Sequence, residues 1–183
     1  TSTKVFILEV MGRHAGWIAA ASCLAASKAG DPPHIILLPE VPFQKGKFLA
    51  QVKQMIKEYG YCVIVASEGT QTINGKFLAD SGLTDAFGHK QLGGVAPILA
   101  GMISKIGFKN HWAVADYLQR SARHIASKTD LDQAYAVGEH AVKLAISGKT
   151  AVMPIIKRIS NSPYKWKIET APLKNVANVE KTI

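Results

Sequence analysis

Two uninterrupted apolar runs constrain the fold more than any other feature of this chain. One is Val5-Phe6-Ile7-Leu8 and the other spans residues 61–66, Tyr-Cys-Val-Ile-Val-Ala. Short continuous runs of this kind read as strands buried on both faces, and such strands belong to parallel sheets covered by helices. The rest of the chain supplies the helices. Residues 4–10 read as a strand, and 17–29 as a small-residue helix ended by Gly30 and the Pro32-Pro33 pair. Residues 34–38 read as a second strand closed by Pro39. Residues 46–59 form an amphipathic helix pattern, with Phe48, Val52, Met55, Ile56 and Tyr59 on one face and Gly60 as the cap. After the third strand at 61–66, helical spacing returns at 95–106, and 111–115 reads as a fourth strand. Residues 131–147 read as a long helix with Thr129 or Asp130 at its N-cap and Gly148 at its end. Residues 151–157 and 164–169 read as strands around Asn161-Ser162-Pro163. The polar, glycine-rich stretch 68–94 is long for a connection and predicts either function or an extra hairpin.

This alternation predicts an α/β fold of three layers, a mainly parallel sheet with helices on both faces. The 183 residues, 48 % hydrophobic and 19 % charged, suit a globular chain with its own core. The reading places one α/β domain over 1–158, with 159–183 as a C-terminal strand and tail that packs on the same domain or on a part of the protein outside these residues. The first residue is Thr, and a core strand is expected almost at once after it, which predicts a piece cut from a longer chain. Cys23 and Cys62 lie in apolar segments without metal spacing and read as reduced core residues of a cytoplasmic protein. No leader and no membrane-spanning run is read in the sequence.

Lys and Arg number 22 against 13 Asp and Glu, a net charge of +9. That balance favours anionic partners, either nucleic acid or phosphorylated small molecules. The densest basic group is Lys157, Arg158, Lys165 and Lys167, with Tyr164 and Trp166 between them. It reads first as an edge hairpin whose lysines block further strand pairing, and second as a single-stranded nucleic-acid surface.

Ligands of open parallel sheets sit beyond the carboxyl ends of the strands. Here the first strand ends at Met11-Gly12-Arg13, the third at Ser67-Glu68-Gly69-Thr70, and the fourth at Asp116-Tyr117-Leu118-Gln119-Arg120. Gly12 permits close backbone approach, and the helix start at Trp17 offers N–H groups to an anion. Arg13 and Arg120 bring planar forks that hold phosphate at two points. Glu68 accepts hydrogen bonds from hydroxyl groups, and Tyr117 offers a ring and a hydroxyl. Arg123 and His124 follow as possible helpers. Together these groups suit a phosphorylated polyol.

Glu9-Val10-Met11-Gly12-Arg13 with His14-Ala15-Gly16-Trp17, then Ser67-Glu68-Gly69-Thr70, then Tyr117-Leu118-Gln119-Arg120, resemble in this order the 6-phosphofructokinase family. The resemblance is to its bacterial pyrophosphate-dependent branch and runs from the first strand to about Arg158. It implies a phosphofructokinase-like substrate domain that binds fructose 6-phosphate through Met11, Gly12, Arg13, Glu68, Tyr117, Leu118, Gln119 and Arg120. Members that use ATP carry His where Tyr117 stands. The stretch from Gly88 to Gly94 mimics their His-containing motif but has Leu92 in place of its arginine.

The resemblance further implies phosphoryl transfer to the 1-hydroxyl of the sugar, with a donor bound together with Mg²⁺. It places the donor loop and the catalytic aspartate outside these residues. No catalytic base and no metal ligand is therefore expected in this chain, and Arg13 and Arg120 are expected to position the acceptor and stabilise charge. Family sites are shared between subunits, which implies a homo-oligomer. Lys4 and His111 align with arginines that reach the neighbouring site in ATP-using members, and Lys109 or Arg123 could substitute. The donor is expected to be pyrophosphate. An ATP-dependent enzyme, a non-catalytic regulatory subunit that keeps the sugar site, and a nucleic-acid-binding module remain as alternatives.

Overall fold

The computed structural model of the chain describes residues 2–84, 90–92 and 94–183. In chain order it runs β1 (Val5–Val10), α1 (Trp17–Ala21), a 3₁₀ turn (Ser22–Ala25), β2 (Ile35–Leu37), α2 (Lys45–Tyr59), β3 (Cys62–Ser67), β4 (Asp80–Thr84), β5 (Lys90–Leu92), α3 (Val95–Ser104) and β6 (Asn110–Val114). It continues through α4 (Leu118–Ser121), α5 (Lys128–Ile146), β7 (Val152–Asn161) and β8 (Tyr164–Pro172). Two compact units result: Thr1–Arg120 together with Glu180–Ile183, and Ser121–Val179.

In the first unit the two apolar runs become the two central strands. The sheet order is β2-β3-β1-β6 and every pairing is parallel. Val5 stands between Cys62 and Asn110, and Glu9 between Ala66 and Val114. One face carries Val5, Ile7, Cys62, Ile64 and Ala66 against Phe48 and Val52 of α2 and Leu99 and Ile103 of α3. Ile7, Ile64, Leu99 and Ile103 are fully buried, and each such side chain contributes roughly 1.5–3 kcal/mol on leaving water. The other face packs Val10 and Val65 against Ala19 of α1. The expected layering of helices on both faces of a parallel sheet is therefore present.

The helix expected over 17–29 is much shorter, α1 giving way to the 3₁₀ turn Ser22–Ala25. Two competitors for its backbone explain this. The Ser22 hydroxyl donates back to the Ala19 carbonyl at 2.5 Å, and the Asp31 carboxylate accepts the N–H groups of Ser27 and Lys28, both at 3.0 Å. Only Ala19 of α1 is buried, so little packing holds a longer helix together. Shortening leaves Cys23 exposed rather than in the core, whereas Cys62 is buried as expected. Helix α2 ends where Gly60 adopts φ 83° and its N–H reaches the Ile56 carbonyl at 2.9 Å.

The glycine-rich stretch contains an antiparallel pair, with Asp80 opposite Leu92 and Thr84 opposite Lys90, as the hairpin reading anticipates. Residues 88, 89 and 93 of the His-containing look-alike lie outside the described residues.

In the second unit α5 packs on an antiparallel hairpin of β7 and β8. The helix starts earlier than expected: Ser127 is the N-cap, its hydroxyl accepting the Asp130 N–H at 3.4 Å. Thr129 and Asp130 lie inside the first turn. Buried Gln133 donates to the Tyr164 hydroxyl at 2.7 Å. Lys157 and Lys167 are register partners, and both reach Glu169, at 3.0 and 2.6 Å. Two cations of the basic cluster are thus paired within the hairpin.

Candidate functional site

The parallel order puts the carboxyl ends of β3, β1 and β6 side by side. The main chain then ties the three loops together. Glu68 N–H donates to the Val10 carbonyl at 2.9 Å, Gly69 N–H to the Gly12 carbonyl at 3.0 Å, and Ala115 N–H to the Glu9 carbonyl at 3.0 Å. The Ser67 hydroxyl also donates to the Gly12 carbonyl. Gly12 has φ 143°, and a Cβ there would meet the Ser67 hydroxyl at 2.7 Å. Gly69 is tighter still, since a Cβ would lie 1.8 Å from the Arg13 carbonyl oxygen. Both glycines are demanded by this close approach of two loops.

Beside these loops lies a cleft of about 570 Å³. Of the residues expected at the site, Met11, Gly12, Arg13, Glu68 and Arg120 line it. Glu68 is oriented by the backbone, its Oε1 accepting the Gly12 N–H at 3.2 Å. The Arg13 Nε is buried and has no acceptor among the described residues. The Arg120 guanidinium lies over the Tyr117 ring at 5.3 Å, so Tyr117 meets the cleft through Arg120. Tyr117, Leu118 and Gln119 are not among the lining residues; Tyr117 and Leu118 are exposed, and the buried Gln119 Nε2 has no acceptor among the described residues. Lys4 and His111 lie toward the amino ends of their strands, away from the cleft. Lys4 Nζ donates to the Gly60 carbonyl at 3.3 Å, and Lys109 Nζ to the Ser2 hydroxyl at 3.0 Å. Arg123 and His124 fall on a 3₁₀ turn of the second unit.

At the helix start the amide of the cap residue is already engaged within the chain. The Gly16 N–H donates to Glu40 Oε1 at 3.0 Å. Burial would raise the Glu40 pKa, but the N–H groups of Gly16, of Glu40 itself and of Ile183 outweigh it and hold the carboxyl below its ordinary value.

Four lining residues were not expected as site residues: His14, Ala15, Glu180 and Lys181. The first two adjoin Arg13 in the motif already quoted. The last two come from the far end of the chain and carry no local sequence mark. His14 Nδ1 pairs with Glu180, and the Trp17 indole N–H donates to the Lys181 carbonyl at 2.7 Å. Glu9 was likewise passed over. Only 4 % exposed, it accepts the Ala96 N–H at 2.7 Å at the start of α3. Burial raises its pKa against the lowering effect of the Ala96 and Val95 N–H groups, and the charges of Glu68 and Asp116 raise it further. Among the described residues no group of three or more His, Cys, Asp or Glu side chains is placed to hold a metal ion. No helix among them is long and apolar enough to cross a membrane.

Three comparisons bear on this arrangement. Residues 1–145 match the family model described as phosphofructokinase. The chain is 66 % identical over 182 residues to the pyrophosphate--fructose 6-phosphate 1-phosphotransferase of Halomonas elongata, covering 99 % of this chain and 43 % of that protein. It is 60 % identical to the enzyme of that name from Xanthomonas campestris pv. campestris, covering 99 % of this chain and 44 % of that one. The crystal structure of pyrophosphate-dependent phosphofructokinase from Marinobacter aquaeolei superposes with a TM-score of 0.83 at 56 % identity, over 100 % of this chain and 42 % of that one. The chain thus spans less than half the length of these relatives. With the motifs in order, the sheet they require and a matching family model over most of its length, this chain belongs to the phosphofructokinase family.

Proposed function

We propose that this chain supplies the acceptor-binding part of a phosphotransferase that carries a phosphoryl group from pyrophosphate to the 1-hydroxyl of fructose 6-phosphate. The observation that carries the reading is the meeting of Arg13, Arg120 and Glu68 at one cleft from the ends of three different strands. The two guanidinium groups suit a phosphate ester, and the buried Arg13 Nε gains an acceptor when a phosphate oxygen occupies the cleft. Glu68, fixed on the Gly12 amide, accepts from a sugar hydroxyl. Pyrophosphate as the donor is carried over from the names of the most similar relatives.

In this reading the chain's own residues bind and orient the acceptor and place positive charge beside the transferring group. Orientation of this kind is a large part of a phosphoryl-transfer rate. A magnesium ion bound with the donor would neutralise its charge. The same reading makes the chain by itself a binder without turnover, and a homo-oligomer when complete.

Calorimetric titration of the chain with fructose 6-phosphate tests the proposal. Saturable binding that prefers fructose 6-phosphate to glucose 6-phosphate is expected. Arg120→Ala should weaken it by roughly tenfold or more, the scale of a lost charge-assisted hydrogen bond. Absence of binding, or equal binding of both sugars, would sink the assignment.

A further inference from the structure

The acceptor reading leaves Trp17 and the last residues of the chain without a role, yet three separate bonds hold those last residues against His14, Trp17 and Glu40, and His14 lines the cleft. Glu180 pairs with His14, the Lys181 carbonyl accepts the Trp17 indole N–H at 2.7 Å, and the Ile183 N–H donates to Glu40 Oε1 at 3.3 Å. These contacts lay the segment Glu180–Ile183 along the turn that follows β1. Glu180 and Lys181 both line the cleft, but their charges are not equivalent. The Glu180 carboxylate is engaged by His14, while among the described residues the Lys181 ammonium takes part in no ion pair. Its main chain is fixed and its side chain is free to turn toward an anion.

We propose that Lys181 is a third phosphate-binding cation of this cleft, delivered by a C-terminal strap that Trp17 holds in register. The proposal rests on reading the cleft as a phosphate site and adds to that site a residue from the opposite end of the sequence. Arg13 and Arg120 bring planar forks, and Lys181 adds a compact charge on a flexible stem that can follow a phosphate as it moves. Trp17 acts through Lys181 as a positioning residue, since it holds the carbonyl and not the ligand. The phosphate group bound could be that of the sugar phosphate or that of pyrophosphate. The chemistry is shared, and the titration separates the two.

The test is calorimetric titration of the 183-residue chain with fructose 6-phosphate in one arm and pyrophosphate in the other, for wild type, Lys181→Ala, Lys181→Arg, Trp17→Phe and Arg120→Ala. Lys181 is exposed, and near-ultraviolet circular dichroism recorded on each variant serves as the control for folding. Lys181→Ala should weaken one arm by roughly fivefold, a screened, partly exposed charge being worth less than a buried one, and Lys181→Arg should restore it to within about twofold. Trp17→Phe keeps the ring but removes the N–H, and should weaken the same arm without any change in charge. The affected arm names the source of the phosphate. If Lys181→Ala matches wild type in both arms while Arg120→Ala is weakened, the strap proposal is overturned and the acceptor reading stands. Loss in Lys181→Ala that Lys181→Arg does not restore also overturns it, because charge is then not the cause. A wild-type chain that binds neither ligand overturns both.

Discussion

The carboxylate of Glu68 accepts the backbone N–H of Gly12 at 3.2 Å. A residue at the end of one strand thereby fixes the turn at the end of its neighbour, and the turn fixes the carboxylate in return. Binding groups in the cleft inherit their positions from this mutual bond and from the main-chain bonds around it.

Gly69 is the tightest point of that junction. Gly69→Ala would set a Cβ 1.8 Å from the Arg13 carbonyl oxygen, against backbone that cannot swing aside as a flexible side chain can. The expected cost is about 1–3 kcal/mol or more, the range of overpacking in a close-fitted region. Urea denaturation should show a lower midpoint. Sugar-phosphate affinity should fall with it, because Arg13 moves when its carbonyl is displaced.

The buried Glu9 makes a prediction about pH. Its pKa is raised above the ordinary value of 4.5, first by burial, so the folded state holds the proton more tightly than the unfolded chain. Stability must then fall as pH rises from the ordinary value through the raised one, and stay level above it. Glu9→Gln keeps an oxygen to accept the Ala96 N–H and removes the charge. The stability difference between Glu9→Gln and wild type should therefore grow across that window in favour of the variant. A difference independent of pH would show that the Glu9 charge is not penalised by folding.

Ser127 caps α5, with its hydroxyl accepting the Asp130 N–H at 3.4 Å. Ser127→Ala should cost about 1 kcal/mol, whereas Thr129→Ala, inside the first turn, should cost much less. Equilibrium unfolding of the two variants under the same conditions checks the order.

The two thiols should differ sharply in reactivity. Burial pushes the Cys62 thiol up to about 12, and Cys62 is 0 % exposed, while Cys23 stands in the open after α1. An aromatic disulfide reagent should label one thiol per native chain, and the second only after denaturation. Cys23→Ser should abolish the native reaction.

The strands of the parallel sheet were legible because uninterrupted apolar runs have few other uses in a chain this size. Residues 5–8 and 62–66 did become the centre of the sheet, with Tyr61 left exposed just before β3. Helix α2 was legible for a similar reason, with Phe48 and Val52 both buried on the face its spacing predicted. The length of α1 was not legible. A run of alanines favours helix, but Asp31 takes two backbone N–H groups from the segment, and that competition depends on where the chain turns back. The cleft divided in the same way. Arg13, Glu68 and Arg120 were readable from the ends of strands, since a parallel sheet gathers those ends on one edge. Lys181 and Glu180 were not, because their place depends on a return of the chain that no local spacing encodes.

The bonds that join the three loops run from main chain to main chain: Glu68 to Val10, Gly69 to Gly12, Ala115 to Glu9. None of these three depends on what side chain Met11, Arg13, Glu68 or Arg120 carries. Apart from Glu68, which belongs to both, the framework of the cleft and the side chains that line it are therefore separable. Met11, Arg13 and Arg120 can be exchanged to suit a different ligand while the loops stay where they are, and engineering of ligand choice on this scaffold should begin with those three positions and leave Gly12, Gly69 and Glu68, whose carboxylate holds the Gly12 N–H, untouched.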